Sequence, residues 1–234
     1  MSRSEGEEAS LLCVRADCRT FAGVMEVAIV EYNAGNIRSV ENALRRLGVE
    51  PVLTSDADRL RGADCVLFPG QGEAGTTMAS LRAHGLDTLI KSLTQPVLGI
   101  CIGMQLLCRH SEEDEVDCLG VFDVPVVRFR PERREEKVPQ MGWNSLSNLQ
   151  GPLFAGLPEH PYVYFVHSYH VPLCPWTVAV TDYVHPYSSA LQRNNFFATQ
   201  FHPEKSGGVG EEILRNFLAY TRSQATLHLQ GEKA

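Results

Sequence analysis

The 234-residue chain has no apolar run near the ~18–20 residues that a membrane-spanning helix requires, so none is expected. Positive charge is scarce: 21 Lys and Arg stand against 28 Asp and Glu, for a net charge of −7. That balance argues against nucleic acid as the main partner, since phosphate binding wants a basic face. The seven cysteines, at 13, 18, 65, 101, 108, 118 and 174, are odd in number and show no paired C-x-x-C spacing. That excludes a disulfide framework and a zinc ligand set. The first residues lack the apolar core of a signal peptide, because Arg15, Asp17 and Arg19 interrupt it. A reducing cytoplasm is the expected setting. No internal repeat is visible and no turn-rich stretch reads as a linker, while 44% hydrophobic and 21% charged residues describe an ordinary globular chain.

Residues 1–24 begin acidic, carry two cysteines and show no clean period. They are expected to be either a misassigned start or a flexible extension, needed by neither folding nor catalysis. From Met25 onward strands and helices alternate. Strands are expected at 27–30, 49–53, 64–68 and 96–100. A helix over 37–47 follows from apolar residues at 37, 40, 44 and 47, with Gly48 as C-cap; helical segments over 76–93 break near Gly85, and another helix starts at 103. Continuous apolar strands in such an alternation signal a parallel sheet covered on both faces. The second half is richer in strand signals, at 121–129, 138–141, 162–171, 177–183, 189–192 and 196–201, before a helix over 211–220. The expectation is one α/β domain over 25–222, a mostly parallel twisted sheet with added antiparallel strands, and a tail at 223–234.

The sharpest local signal is Leu98-Gly99-Ile100-Cys101-Ile102-Gly103-Met104-Gln105. An apolar strand runs straight into a helix, with Cys101 at the junction and a glycine two residues away on each side. This is the pattern of a nucleophile elbow, in which a tight turn lifts the side chain above the sheet, and a helix N-terminus favours thiolate. Cys65, within an apolar strand, reads instead as an ordinary buried cysteine. A thiol nucleophile needs a base and an orienting acid. His202 and Glu204 in Gln200-Phe-His-Pro-Glu204 supply both, on one face if a strand runs through 204. Gly70-Gln71-Gly72-Glu73-Ala74-Gly75 matches G-x-G-x-x-G, but it is not on the first βα turn and lacks the acidic residue expected ~20 positions on. A loop whose backbone N–H groups form an oxyanion hole is the better reading.

Gly99-x-Cys101-x-Gly103-Met-Gln105 together with Gln200-Phe-His202-Pro203-Glu204-Lys-Ser resembles the triad (class I) glutamine amidotransferases. Tyr32-Asn-Ala-Gly35-Asn36-Ile, Pro69-Gly-Gln-Gly72, Lys137-Val-Pro-Gln-Met141-Gly-Trp143-Asn144 and Tyr164-Phe-Val-His167-Ser168-Tyr169 are similar to the glutaminase subunits of imidazole glycerol phosphate synthase. The resemblance runs in order from about 25 to 220. It implies a flavodoxin-like core, no cofactor or metal, and a Cys101–His202–Glu204 triad that hydrolyses glutamine through a thioester. It implies an oxyanion hole at Gly70, Gln71 and Gly72, and glutamine binding by Gln105 and Glu113 with the backbone of His167, Ser168 and Tyr169. Ammonia would pass to a (β/α)₈ cyclase subunit in histidine biosynthesis, docked at Asn36, Trp143, Asn144 and Tyr164 as a heterodimer. Glu73, Gln71 and Gln140 depart from the usual pattern, which has histidine, valine and histidine there.

Two rivals are another enzyme of the superfamily, whether a glutaminase of another pathway or a stand-alone cysteine hydrolase, and a silent regulatory subunit. The Met-Gly-Trp-Asn segment speaks against the first and the intact triad against the second. His167 and His170, three apart on a strand, are expected on opposite faces and so not to share a metal. The acidic run 111–115, Glu113 excepted, and the mixed-charge run 128–137 read as solvated surface.

Overall fold

The computed structural model of the chain describes residues 25–32, 37–70, 72–133 and 135–231. The extension 1–24, Asn36 and Gln71 lie outside the described residues.

Strands β1 (Val27–Val30), β3 (Cys65–Gly70) and β4 (Val97–Cys101) are buried along their whole length. Their side chains alternate between two cores. Val66, Phe68 and Val97 face one, with Met78, Leu81, Leu89 and Ile90 of helices α3 (Ala74–Ala83) and α4 (Leu86–Ser92). Cys65, Leu67, Leu98 and Ile100 face the other, with Val40 and Leu44 of α1 (Ile37–Arg46) and Ile213, Leu214 and Phe217 of α6 (Gly207–Gly231). Burial on both faces is why these strands read as unbroken apolar runs.

The main sheet has seven strands in the order β11-β12-β13-β4-β3-β1-β2, where β2 is Val52–Thr54, β11 Thr177–Asp182, β12 Pro186–Arg193 and β13 Phe196–Thr199. From β13 to β2 all pairs are parallel, and β11 and β12 add on antiparallel. The α/β class, the mostly parallel sheet and the added antiparallel strands are as expected. A second sheet joins β5 (Cys108–Ser111), β6 (Val116–Asp117), β7 (Phe122–Arg128) and β10 (Tyr169–His170). A third pairs β8 (Gln140–Ser145) with β9 (Tyr162–His167), Trp143 opposite Tyr164.

Several details differ from expectation. Helix α2 (Ala57–Gly62) gave no apolar period because Leu60 is its one buried residue; it starts on Asp56, whose carboxylate accepts from the Arg59 N–H. The strand expected over 162–171 breaks at Ser168 into β9 and β10, which belong to different sheets. The final helix extends past the expected 220 to Gly231, taking up much of the expected tail. Gly48 and Gly85 do interrupt the chain as expected, at φ 78° and 66°. Among the described residues no helix is long and apolar enough to cross a membrane.

Candidate active site

Strands β3, β4 and β13 are in register, Gly70 beside Cys101 and Ile100 beside Thr199, so their carboxyl ends open at one end of the sheet. In open α/β sheets ligands bind there. Cys101 ends β4 and immediately precedes α5 (Ile102–Leu107) with φ 55° and ψ −108°, a conformation a residue with a Cβ rarely adopts. The glycines on either side make it possible. A Cβ on Gly99 would meet the Gly103 carbonyl oxygen at 2.9 Å, and one on Gly103 would fall on the Phe68 carbonyl oxygen. The elbow therefore exists because helix and strand approach closer than any side chain permits.

The His202–Glu204 pair comes together by another route than expected. Strand β13 ends at Thr199, and residues 203–205 form a short 3-10 turn, since Pro203 has no N–H to continue a ladder. In that turn Nδ1 of His202 lies 2.8 Å from Oε1 of Glu204, with both side chains buried. The His202 N–H donates to the Tyr164 carbonyl (3.0 Å) and its carbonyl accepts from the Ser206 hydroxyl (2.6 Å), which fixes the backbone. Burial alone would discharge this imidazole. The neighbouring Cys101 and the Glu204 carboxylate outweigh it and push the pKa up to about 9. Nε2 makes no well-aligned hydrogen bond, but it lies within the electrostatic reach of Cys101. Catalytic contacts in unliganded enzymes are often loose in this way.

A cavity of about 340 Å³ is lined by Gly72, Cys101, Ile102, Gln105, Glu113, Val166, His167, Ser168, Tyr169 and His202. Of the expected site residues, these include the nucleophile, the base, one oxyanion-loop residue and all five expected at the glutamine. A larger hollow of about 560 Å³ lies across Tyr169 and touches neither Cys101 nor His202. Glu113 is half-buried; its Oε2 accepts from the Ala74 N–H (2.9 Å), and burial, more than this bond can offset, raises its pKa. Gln105 donates through Nε2 to the Tyr169 carbonyl (3.1 Å) and to Oε1 of Gln200 (3.0 Å), leaving its own oxygen for the cavity. The Phe129 N–H donates to the Ser168 carbonyl (3.0 Å), so the next pair, Tyr169 and Arg128, is the non-hydrogen-bonded kind and the Tyr169 N–H turns away from β7. Gly70 has no room for a Cβ, which would fall on Ile102 and the Tyr32 hydroxyl. That hydroxyl donates to the Pro69 carbonyl (2.6 Å) and pins the loop; burial and then Cys101 raise its pKa.

His167 and His170 do not face opposite ways. The break at Ser168 resets the alternation and brings both onto Phe129, with ring centroids 5.4 Å and 4.2 Å away. Burial drives both below their ordinary range, His167 to about 4 and His170 to about 3, with neighbouring histidines adding to it. Nδ1 of His167 is 2.7 Å from the Tyr169 carbonyl, so it carries the proton there. Among the described residues no group of three metal-binding side chains converges. Cys65 is buried, with its thiol pushed up to about 12 by burial.

On the opposite side of β9 from its buried Val163 and Phe165, the β8–β9 pair exposes Met141 (66%), Trp143 (56%) and Tyr162 (59%). Trp143 is thus not a core residue; it meets Tyr164 edge-on at 6.2 Å. Asn144, expected on this surface, points the other way because side chains alternate along a strand. Its amide donates to the Asp182 carbonyl (2.9 Å). Residues that the sequence did not single out are Val166, whose carbonyl lies 3.9 Å from Cys101 Sγ, and Gln200, whose Nε2 lies 3.8 Å from it.

The family model for class-I glutamine amidotransferases matches residues 28–220. Among curated relatives, imidazole glycerol phosphate synthase subunit HisH of Bacteroides thetaiotaomicron is 64% identical over 194 residues, covering 83% of this chain and 99% of the relative. The protein of the same description from Escherichia coli is 44% identical over 196 residues, again 83% and 99%. A solved glutamine amidotransferase shares the fold with a TM-score of 0.65 at 21% identity, covering 85% of this chain and 99% of the other. One from Thermotoga maritima gives 0.57 at 16%, covering 87% and 86%. With that much of the chain matched, and relatives this similar aligned almost end to end, the chain belongs to the class-I glutamine amidotransferases and, within them, to the HisH subunits of imidazole glycerol phosphate synthase.

Proposed function

We propose that Cys101, His202 and Glu204 hydrolyse glutamine and that the ammonia is delivered to a cyclase subunit docked on the β8–β9 face. The observation that carries this reading is a strained elbow thiol sharing one cavity with an imidazole whose other nitrogen is held 2.8 Å from a buried carboxylate. The Cys101 thiolate attacks the carboxamide carbon of glutamine, and the carbonyl oxygen becomes an oxyanion. The N–H groups of the 70–72 loop and of Ile102, the first amide of α5, receive it. Charged His202 gives its proton to the departing nitrogen, the C–N bond breaks, and ammonia and a γ-glutamyl thioester result. Neutral His202 then takes a proton from water as the water oxygen attacks the thioester. Glutamate leaves, and the thiolate and imidazolium are restored. Glu204 keeps the imidazole oriented throughout and favours its charged form.

The amino-acid end fits the remaining wall. Glu113 and the oxygen of Gln105 take the ammonium, while the N–H groups of Ser168 and Tyr169 take the carboxylate. Trp143, Tyr164 and Met141 supply an aromatic and apolar docking face for the cyclase, a (β/α)₈ barrel; Asn36 is assigned to this face on the resemblance alone. The setting is cytoplasmic, and no cofactor is needed for this chemistry.

The test is Cys101→Ala in the complex with the cyclase subunit. Glutamine-dependent product formation should disappear while cyclisation with added ammonium salt persists. Loss of both in a folded complex, or survival of the glutamine reaction, refutes the division of labour.

A further inference from the structure

Gln200 is wholly buried between β13 and the His202 turn. Its side-chain amide has one orientation for a reason that can be followed atom by atom. The Tyr169 carbonyl can only accept, so Gln105 must present its NH₂ there, at 3.1 Å. The second hydrogen of that NH₂ meets Oε1 of Gln200 at 3.0 Å. Nε2 of Gln200 must then face the other way, and it does so 3.8 Å from Cys101 Sγ. Reversing the amide would set NH₂ against NH₂ and turn an oxygen toward the sulfur. On another side of the sulfur, at 3.9 Å, lies the Val166 carbonyl. A carbonyl can accept only from the thiol S–H, whereas an N–H can only donate and so favours the thiolate.

We infer that Gln200 is a further catalytic residue, whose Nε2–H stabilises the Cys101 thiolate and whose Oε1 ties that thiolate, through Gln105, to the wall holding the amino-acid end of glutamine. The inference rests on the reading of Cys101 as nucleophile. The two protonation states of the sulfur have different partners, Val166 for the thiol and Gln200 with His202 for the thiolate. Gln200 enlarges the thiolate fraction before attack and stabilises the same thiolate when it is released from the thioester. A merely structural glutamine would satisfy Gln105 and leave the ionisation of Cys101 untouched.

The decisive measurement is the pH dependence of Cys101 alkylation by iodoacetamide in the full chain, followed by mass spectrometry of the Cys101 peptide. In Gln200→Met the midpoint should move up by about one pH unit or more. In Gln200→Glu, which keeps an acceptor for Gln105 but turns an oxygen toward the sulfur, it should move further. With glutamine and the cyclase subunit, Gln200→Glu should lose about tenfold or more in kcat with little change in KM, while Gln200→Met raises KM as well. Folded variants with unmoved midpoints overturn the inference. Should either variant fail to fold, the unaltered chain decides: the Gln200 side-chain amide proton should shift as Cys101 ionises and stay flat in Cys101→Ala. A flat signal in both refutes the contact. Glutaminase activity surviving in Cys101→Ala would sink the nucleophile assignment itself, a different failure from an inert Gln200.

Discussion

Removing the Cys101 sulfur should change the titration of an imidazole that it does not covalently touch. His202 is raised from 6.5 to about 9 against burial, which alone would lower it, and among the raising causes Cys101 precedes Glu204. That elevation corresponds to ~3 kcal/mol of preference for the charged ring. In Cys101→Ala burial opposes Glu204 alone, and the His202 pKa should fall by at least ~1 unit. The sign of the linked stability follows. A folded pKa above the unfolded one contributes stability that is complete below 6.5 and is lost as pH rises through 9. Urea unfolding of the unaltered chain should therefore weaken across that window, whereas the variant should have lost its smaller contribution at lower pH. Proton NMR titration of His202, assigned by its disappearance in His202→Asn, reads the pKa directly. A His202 signal that titrates at the same pH with and without the sulfur would refute the pairing of thiolate and imidazolium.

Gly103→Ala places a methyl group on the Phe68 carbonyl, whose oxygen and carbon are backbone atoms that cannot swing aside, and should cost at least ~2–3 kcal/mol in urea unfolding with an unchanged m value; an effect under ~0.5 kcal/mol would mean that strand and helix part easily. Trp143→Ala should weaken cyclase binding by ~2 kcal/mol, about 30-fold in Kd. The free chain should lose less than ~1 kcal/mol, because the ring is 56% exposed and its edge contact with Tyr164 is what remains to lose. The opposite ranking by calorimetric titration and thermal melting would give Trp143 a folding role. A chain beginning at Met25 should keep its melting temperature and glutamine-dependent activity, and a loss of several kcal/mol would show that residues 1–24 pack on the domain.

The strands that build the sheet centre were legible because burial on both faces writes itself as a continuous apolar run, as in Val27–Val30. Strand β8 was read short and early, at 138–141 rather than Gln140–Ser145, because Trp143 and Met141 face outward and spoil the half-buried alternation. The elbow was legible because its glycines answer a local steric demand. His202 and Glu204 were legible as neighbours, but the turn that joins them was not, since a strand satisfies the same spacing. Gln200 and Val166 are 99 and 65 residues from Cys101 in sequence. Their positions on the sulfur depend on sheet order and on the fold of β9, which no local pattern encodes.

The position of β13, between β12 and β4, has a consequence for the chain as it is made. Synthesis delivers β1 to β4 and the elbow first, and the strand that covers the open side of β4 comes late. Until residues 196–199 emerge, β4 is an edge with a free row of N–H and C=O groups, the kind of edge that invites pairing with another chain. Through the same interval the Cys101 sulfur has neither imidazole nor amide beside it, because both His202 and Gln200 follow the missing strand. One event, the insertion of β13, closes that edge and, on the proposed function, completes the active site, so Cys101 gains its partners only when β4 is no longer an open edge.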